Sequence, residues 1–392
     1  MARLLYTLTG WLALAPSVWG VSLYVSHFSG RVYTLDFTQS GTTSSLTVRS
    51  NTTGCGTLPA WLEIYPEDQQ LYCFDESWYG RGTIGVYNVG SNGQLTVSGQ
   101  IASAGNDVHG TLYGGTNGRG FIVSSQYGGS SITTYRLPAS SSGVLQRERF
   151  TIAAPGPNPR QDASHPHQAL VDPTGGFILV PDLGADLVRI FRIDATSGRL
   201  TACGAGQASP GDGPRHGAWW TPSGGNGTDG LRLYTLNELG NSISAWSVSY
   251  SSSCMTLSRT QTLSTYTAGT TIGSLFKAGE LRIRDNFLYA SNRADQTFGS
   301  QRDSLVTYRI DPSSGALSWL EATNAYSYYP RTFQINRAGN LVAVGGQTSS
   351  TVAIIARDVS TGRLGNLVAS VQVGPLGRPN QEDGLSAVIW NE

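Results

Sequence analysis

Four residues stand out by type: His167 in SHPHQAL, Arg215 in GDGPRHG, Glu238 in LYTLNEL and Arg293 in LYASNR. Two guanidinium groups can hold a carboxylate or a developing oxyanion through paired hydrogen bonds. An imidazole can give or take a proton near neutral pH. A carboxylate between two cations stays ionised and fixes them in place. Together these groups suit acid–base chemistry on a small anionic or carbonyl-bearing molecule. They lie far apart along the chain, so only a repeating fold could bring them together.

The chain carries such a repeat. The stretch SHPHQALVDPTGGFILVPDLGADLVRIFRIDATSGRLTACG reads as four strand-sized runs separated by turns. Its second run recurs as SLYVSH, QLYCFD, FIVSSQ, ILVPDL, LYTLNE, LYASNR and VAVGGQ. A third run follows each, as in RVYTLDF, LVRIFRI and TVAIIARDV. No helical periodicity is sustained, and Gly is abundant at 49 of 392 residues. These features predict an all-β, seven-bladed propeller. The first unit lacks an inner strand and the chain ends in an orphan apolar run, GLSAVIW. Ring closure by that run, supplying the inner strand of the amino-terminal blade, resolves both.

In such a ring, the start of each inner strand and the end of each second strand meet at one face around the central channel. Aligning the inner-strand starts groups Ala60, His109, His167, Arg215 and Arg331. Aligning the second-strand ends groups His27, Asp75, Gln126, Asp182, Glu238, Arg293 and Gln347. That face is the expected ligand site. His167, Arg215, Glu238 and Arg293 are its catalytic candidates, and His109, Asp182, Arg331 and Gln347 its substrate-binding candidates. Asp172 in DPTGG and Asp311 in RIDP read as turn residues.

Zero net charge and the lack of a basic stripe argue against nucleic acid as a partner. Residues 1–20 read as a secretory signal, with Arg3, an apolar run and small residues before the expected cleavage after Gly20. The mature propeller then spans 21–392, without a membrane span, and is expected outside the cell or in the cell wall. Asn51 and Asn226 begin glycosylation sequons. Cys55, Cys73, Cys203 and Cys254 allow three disulfide connectivities. Pairing Cys55 with Cys73 and Cys203 with Cys254 is preferred, because each pair sits in the same or neighbouring repeats. No Cys/His spacing suggests zinc, and no metal or cofactor is expected. The single lysine, Lys277, is a poor Schiff-base candidate, and neither a nucleophile elbow nor a phosphate loop is present. The oligomeric state is left open.

The blocks HPHQALVDPTGGFILVPDLGADLVRIFRID, GDGPRHGAWW, LYTLNELGNSISAW and YPRTFQINRAGNLVAVGGQTSSTVAII resemble the seven-bladed lactonase propellers. That family includes bacterial 6-phosphogluconolactonase and the fungal carboxymuconate cyclases. The resemblance to the cyclases implies a site of one His, two Arg and one Glu, which fall on His167, Arg215, Arg293 and Glu238. It implies ring closure of a muconate-type polycarboxylate as the leading activity: the arginines clamp carboxylates and His167 supplies the proton. Hydrolysis of a lactone by the same groups is the alternative, and a non-catalytic binding glycoprotein the third reading. Residues 223–230 and 294–302 depart from the family pattern and are expected near the rim of the site.

Overall fold

A computed structural model of the chain describes residues 19–77, 82–138, 143–222 and 227–392. The expected signal segment lies almost wholly outside the described residues, as does the sequon residue Asn226. Among the described residues there is no α-helix, and the strands form seven four-stranded antiparallel sheets. The chain is a seven-bladed propeller.

Blade 1 is closed as expected. Leu385–Trp390 lies inside Trp19–His27, followed outward by Arg31–Ser40 and Thr43–Thr52. Blades 2 to 7 each begin at the channel and run outward in chain order. Their inner strands are Pro59–Tyr65, Asp107–Tyr113, Leu170–Val171, Pro214–Trp220, Lys277–Arg284 and Pro330–Ile335.

Burial explains the strand patterns. The second strand of blade 4, Phe177–Asp182, is buried along its whole length, so its sequence is a continuous apolar run. The outer strand Leu200–Gln207 has one wet face and carries small and polar residues. The core lies between blades. Phe121, Val123 and Ile132 of blade 3 pack with Ile178, Val180 and Phe191 of blade 4. Blades 7 and 1 meet in the same way through Val352, Ile354, Leu23, Val25 and Trp390.

A repeated joint ties neighbours together. The hydroxyl of Tyr24 donates to the Gly93 carbonyl at 2.8 Å, that of Tyr234 to Gly315 at 2.6 Å, and that of Tyr289 to Gly362 at 2.6 Å. Tyr113 makes the same bond to Gly198. Each glycine belongs to the hairpin between the third and outer strands of the next blade. Gly198 and Gly362 have φ of +75° and +71°, and a Cβ on either would come within 2.3 Å of Phe121 or Phe287. Backbone conformation and packing therefore both demand glycine there. Asp311 accepts from the amides of Ser313 and Ser314, and Asp172 from Phe177, as expected of turn residues.

The disulfides pair Cys55 with Cys73 and Cys203 with Cys254, as expected. The second joins the edges of blades 4 and 5. Asn51 lies on the exposed outer strand of blade 1, where its side chain accepts a hydrogen bond from Arg31 at 3.2 Å.

Candidate functional site

A bulge at the start of the inner strands builds the site. In blade 5, Pro214 pairs with Asn237 and His216 with Leu236, leaving Arg215 extra. The same register shift leaves Ala60 extra in blade 2, Val108 in blade 3 and Arg331 in blade 7. Proline suits the position before the bulge, where no ladder N–H is required. In blade 4, Pro166 bridges Asp182, which puts His167 in the matching place. Such a bulge re-aims the extra residue out of the regular pleat. His167, Arg215 and Arg331 thus share one level of the ring.

His109 belongs one step deeper, which corrects its expected place at the mouth. It pairs with Ser125, equivalent to Trp61 in blade 2 and His216 in blade 5. It stacks on Trp61 with ring centroids 4.4 Å apart and does not line the pocket. In this lower layer His216 Nδ1 lies 3.0 Å from Glu280 Oε1.

The second strands show a one-residue offset from the expected alignment. His27, Asp75, Gln126, Asp182, Asn237 and Gly346 are the ladder positions opposite the inner or third strands. Several are consumed by the scaffold. The Asp182 carboxylate accepts from the His165 amide at 2.7 Å, the Ala185 amide at 3.1 Å and Arg189 Nε at 2.8 Å. Asp182 is therefore a fully buried structural residue, which corrects its assignment to substrate binding. Asp75 likewise accepts from the Leu58 amide at 2.8 Å. In blades 2, 3, 5 and 7 the next residue faces the ligand space, giving Glu76, Tyr127, Glu238 and Gln347, whereas Phe28 and Leu183 in blades 1 and 4 are buried.

These residues line a polar pocket of about 260 Å³ together with Arg160, His167, Lys277, Arg293, Tyr329, Arg331 and the segment 380–382. Three of the four catalytic candidates, His167, Glu238 and Arg293, open onto it. Arg215 lies directly beneath. Gln347 lines it too, but its amide donates to the carbonyls of Gln381 at 2.7 Å and Asp383 at 3.3 Å, so it holds a neighbouring segment. Residues 294–302 follow Arg293 directly at the site face without lining the pocket, whereas the described part of 223–230 lies elsewhere, which corrects its expected place near the site. The latter joins the far ends of its two strands, at the opposite face.

Glu238, 2% exposed, is the electrostatic centre. Its Oε2 lies 2.9 Å from Arg215 Nε and 2.9 Å from Arg293 Nη2, and its Oε1 meets Arg160. Arg293 also donates to the Ala278 carbonyl at 2.7 Å, and Arg215 to that of Gly279. Burial alone would raise the Glu238 carboxyl, but Arg160, Arg293 and Arg215 outweigh it and hold its pKa well below the usual range. Burial, with Arg293 and Arg331 nearby, pushes the Arg215 pKa down to about 9, which leaves it a cation.

His167 is the opposite case. Burial, then the charge of Arg215, drive its pKa well below 6.5, so it is a neutral imidazole at pH 7. Its Nδ1 has no hydrogen-bond partner among the described residues. Glu76 is buried beside Arg331, whose Nη2 is 3.5 Å away; burial raises its carboxyl to about 7, against the pull of Arg331.

Sequence reasoning missed Glu76, Tyr127, Arg160, Lys277, Tyr329 and 380–382. Shifting the second-strand alignment by one would have found the first two. Arg160 and 380–382 sit in irregular segments that carry no periodic signal. Among the described residues, no group of three or more His, Cys, Asp or Glu is placed to hold a metal ion.

A closed ring of seven four-stranded blades, with a buried cationic cluster under one mouth, marks a propeller with a small-molecule site. The chain belongs to the lactonase family of seven-bladed β-propellers, whose sequence profile matches residues 20–377. A protein of Arthroderma benhamiae named as a probable 6-phosphogluconolactonase is 33% identical over 333 residues, covering 82% of this chain and 79% of its own. A 6-phosphogluconolactonase of Formosa agariphila is 27% identical over 317 residues, covering 79% and 84%. The structure of a periplasmic gluconolactonase of Pseudomonas aeruginosa superposes with a TM-score of 0.76 at 24% identity, over 95% of this chain and 99% of that one. That likeness shows the shared fold.

Proposed function

We propose that this protein is an exported hydrolase of anionic lactones. The carrying observation is a neutral imidazole, His167, sharing one pocket with the arginine-bound Glu238. Unprotonated at neutral pH, this imidazole starts the reaction as a proton acceptor, and once protonated it gives the proton up easily. That resting state fits activation of water, whereas ring closure of a muconate needs an acid that already carries its proton. The names of the two relatives, both 6-phosphogluconolactonases, point the same way.

Water is the one co-reactant. His167 accepts a proton from water as its oxygen adds to the lactone carbonyl. Arg293, fixed by Glu238 and the Ala278 carbonyl, stabilises the oxyanion. Collapse breaks the ring C–O bond, and the His167 imidazolium returns the proton to the departing ring oxygen. The product is the open hydroxy acid. Export is supported by the state of the cysteines: all four are in disulfides.

The test is turnover of a panel of sugar lactones and of 3-carboxy-cis,cis-muconate by the wild type and by His167→Ala and Arg293→Ala. Lactone opening should fall by about 10²–10⁴-fold in His167→Ala, the usual range for loss of a general base. Turnover of the muconate alone would reinstate ring closure; lactone opening unaffected by both substitutions would overturn the mechanism.

A further inference from the structure

Lys277 is the only lysine in the chain and opens the inner strand of blade 6. The strand register sets it directly opposite Arg293. Like charges placed across a ladder repel. Arg293 is ion-paired with Glu238, whereas among the described residues Lys277 has no such partner. Its Nζ donates to Asn380 Oδ1 at 3.2 Å, an uncharged amide oxygen that also accepts from Tyr329 Oη at 3.1 Å. Among the described residues no carboxylate pairs with this ammonium.

The arrangement keeps a positive charge at the pocket wall without cancelling it. A scaffold lysine would gain more from a carboxylate than from an amide. Glu382 also lines the pocket, yet it is Asn380 that contacts Nζ. The amide oxygen orients the ammonium and leaves its charge and remaining donors free. Because Arg293 is committed to the reacting centre, an anion on Lys277 would be a group of the substrate other than the lactone carbonyl.

We infer that Lys277, oriented by Asn380, is a specificity-determining residue that receives a second oxyanion of the substrate, a carboxylate or phosphate distinct from the lactone carbonyl. The inference rests on the lactone-hydrolase reading and sharpens its substrate class to lactones bearing such a group.

The test compares Lys277→Met and Lys277→Arg with wild type on a neutral sugar lactone, its 6-phosphate and a carboxylate-bearing lactone. For one or both charged lactones, kcat/KM should fall about 10–100-fold in Lys277→Met, mainly through KM, and recover in part in Lys277→Arg. The neutral lactone should change less than about 2-fold. The phosphate and carboxylate arms tell which oxyanion is read. Equal losses on neutral and charged lactones, or no loss on either charged one, would overturn the inference. Calorimetric binding of gluconate, 6-phosphogluconate and glucarate tests Lys277 without turnover. Tighter binding of 6-phosphogluconate or glucarate than of gluconate, lost in Lys277→Met, would support the anion receptor even if hydrolysis proved absent; equal binding by both proteins would refute it.

Discussion

Glu238→Gln is the sharpest probe of the site, because it removes one charge and almost no volume. In the wild type a single buried carboxylate faces Arg160, Arg215 and Arg293, with Arg215 and Arg293 almost fully buried. Removing one partner of a buried ion pair costs roughly 3–5 kcal/mol, because the remaining charge is left uncompensated. The Gln oxygen still accepts one hydrogen bond, so about 3 kcal/mol is expected here. With about 2 cal/mol/K of unfolding entropy per residue, a domain of this size loses roughly 1–2 °C per kcal/mol, and Tm should drop by about 3–6 °C.

The pH dependence carries more information. The Glu238 carboxyl lies below its ordinary value of 4.5 in the folded state. Its stabilisation is therefore complete above about pH 4.5 and is lost as pH falls through the lowered folded value. The Tm gap between wild type and Glu238→Gln should be flat from pH 8 to pH 5 and close in more acid solution. Phosphate should raise the Tm of the variant more than that of the wild type, since the freed arginines then recruit an anion. Calorimetric melts across pH check both. A gap below about 1 °C, or one that widens toward acid, would refute the picture of an ionised, arginine-bound carboxylate.

Other consequences are open to test. Glu76 has a raised carboxyl in the fold, near 7 against an ordinary 4.5, so its contribution is present below pH 4.5 and lost as pH rises through 7. Glu76→Gln should raise Tm at pH 8 and leave it nearly unchanged at pH 4, as thermal melts at the two pH values would show. The Cys203–Cys254 bridge closes a longer loop than Cys55–Cys73, with separations of 51 and 18. On the chain-entropy model these contribute about 4 and 3 kcal/mol, so denaturant titration of the paired Cys→Ser variants should show the larger loss for Cys203/Cys254.

Much of the ring was legible in the chain because each blade repeats the same turn chemistry. The closing strand was legible because GLSAVIW had no other partner. The inner-strand level of His167, Arg215 and Arg331 was also readable, through the Pro-His and Pro-Arg pairs that mark the bulge. The second-strand ends were harder to place. A strand ends where its hydrogen bonds end, and sequence shows only where its apolar run ends. That difference of one residue substituted Asp75 and Gln126 for Glu76 and Tyr127, which face the ligand, while in blade 4 neither Asp182 nor its neighbour Leu183 does. His109 was misplaced for the related reason that its own bulge falls on Val108. Arg160 and Asn380 reach the pocket from segments whose course is set by the ring as a whole.

The tyrosine–glycine joints allow the ring to be seen as an assembly. In each joint one blade offers a hydroxyl and the next a hairpin carbonyl, a head-to-tail contact between different surfaces, and blade 6 carries both. Among separate subunits, contacts of this heterologous kind close only when the rotation per step divides the circle, and otherwise grow into open filaments. Here the sevenfold rotation closes and the chain threads the units into one molecule. The last seam is made by Leu385–Trp390 crossing back to Trp19–His27. A ring of this type can tolerate wide divergence in pocket residues while its joints stay fixed, because recognition and closure use different atoms of the same blade.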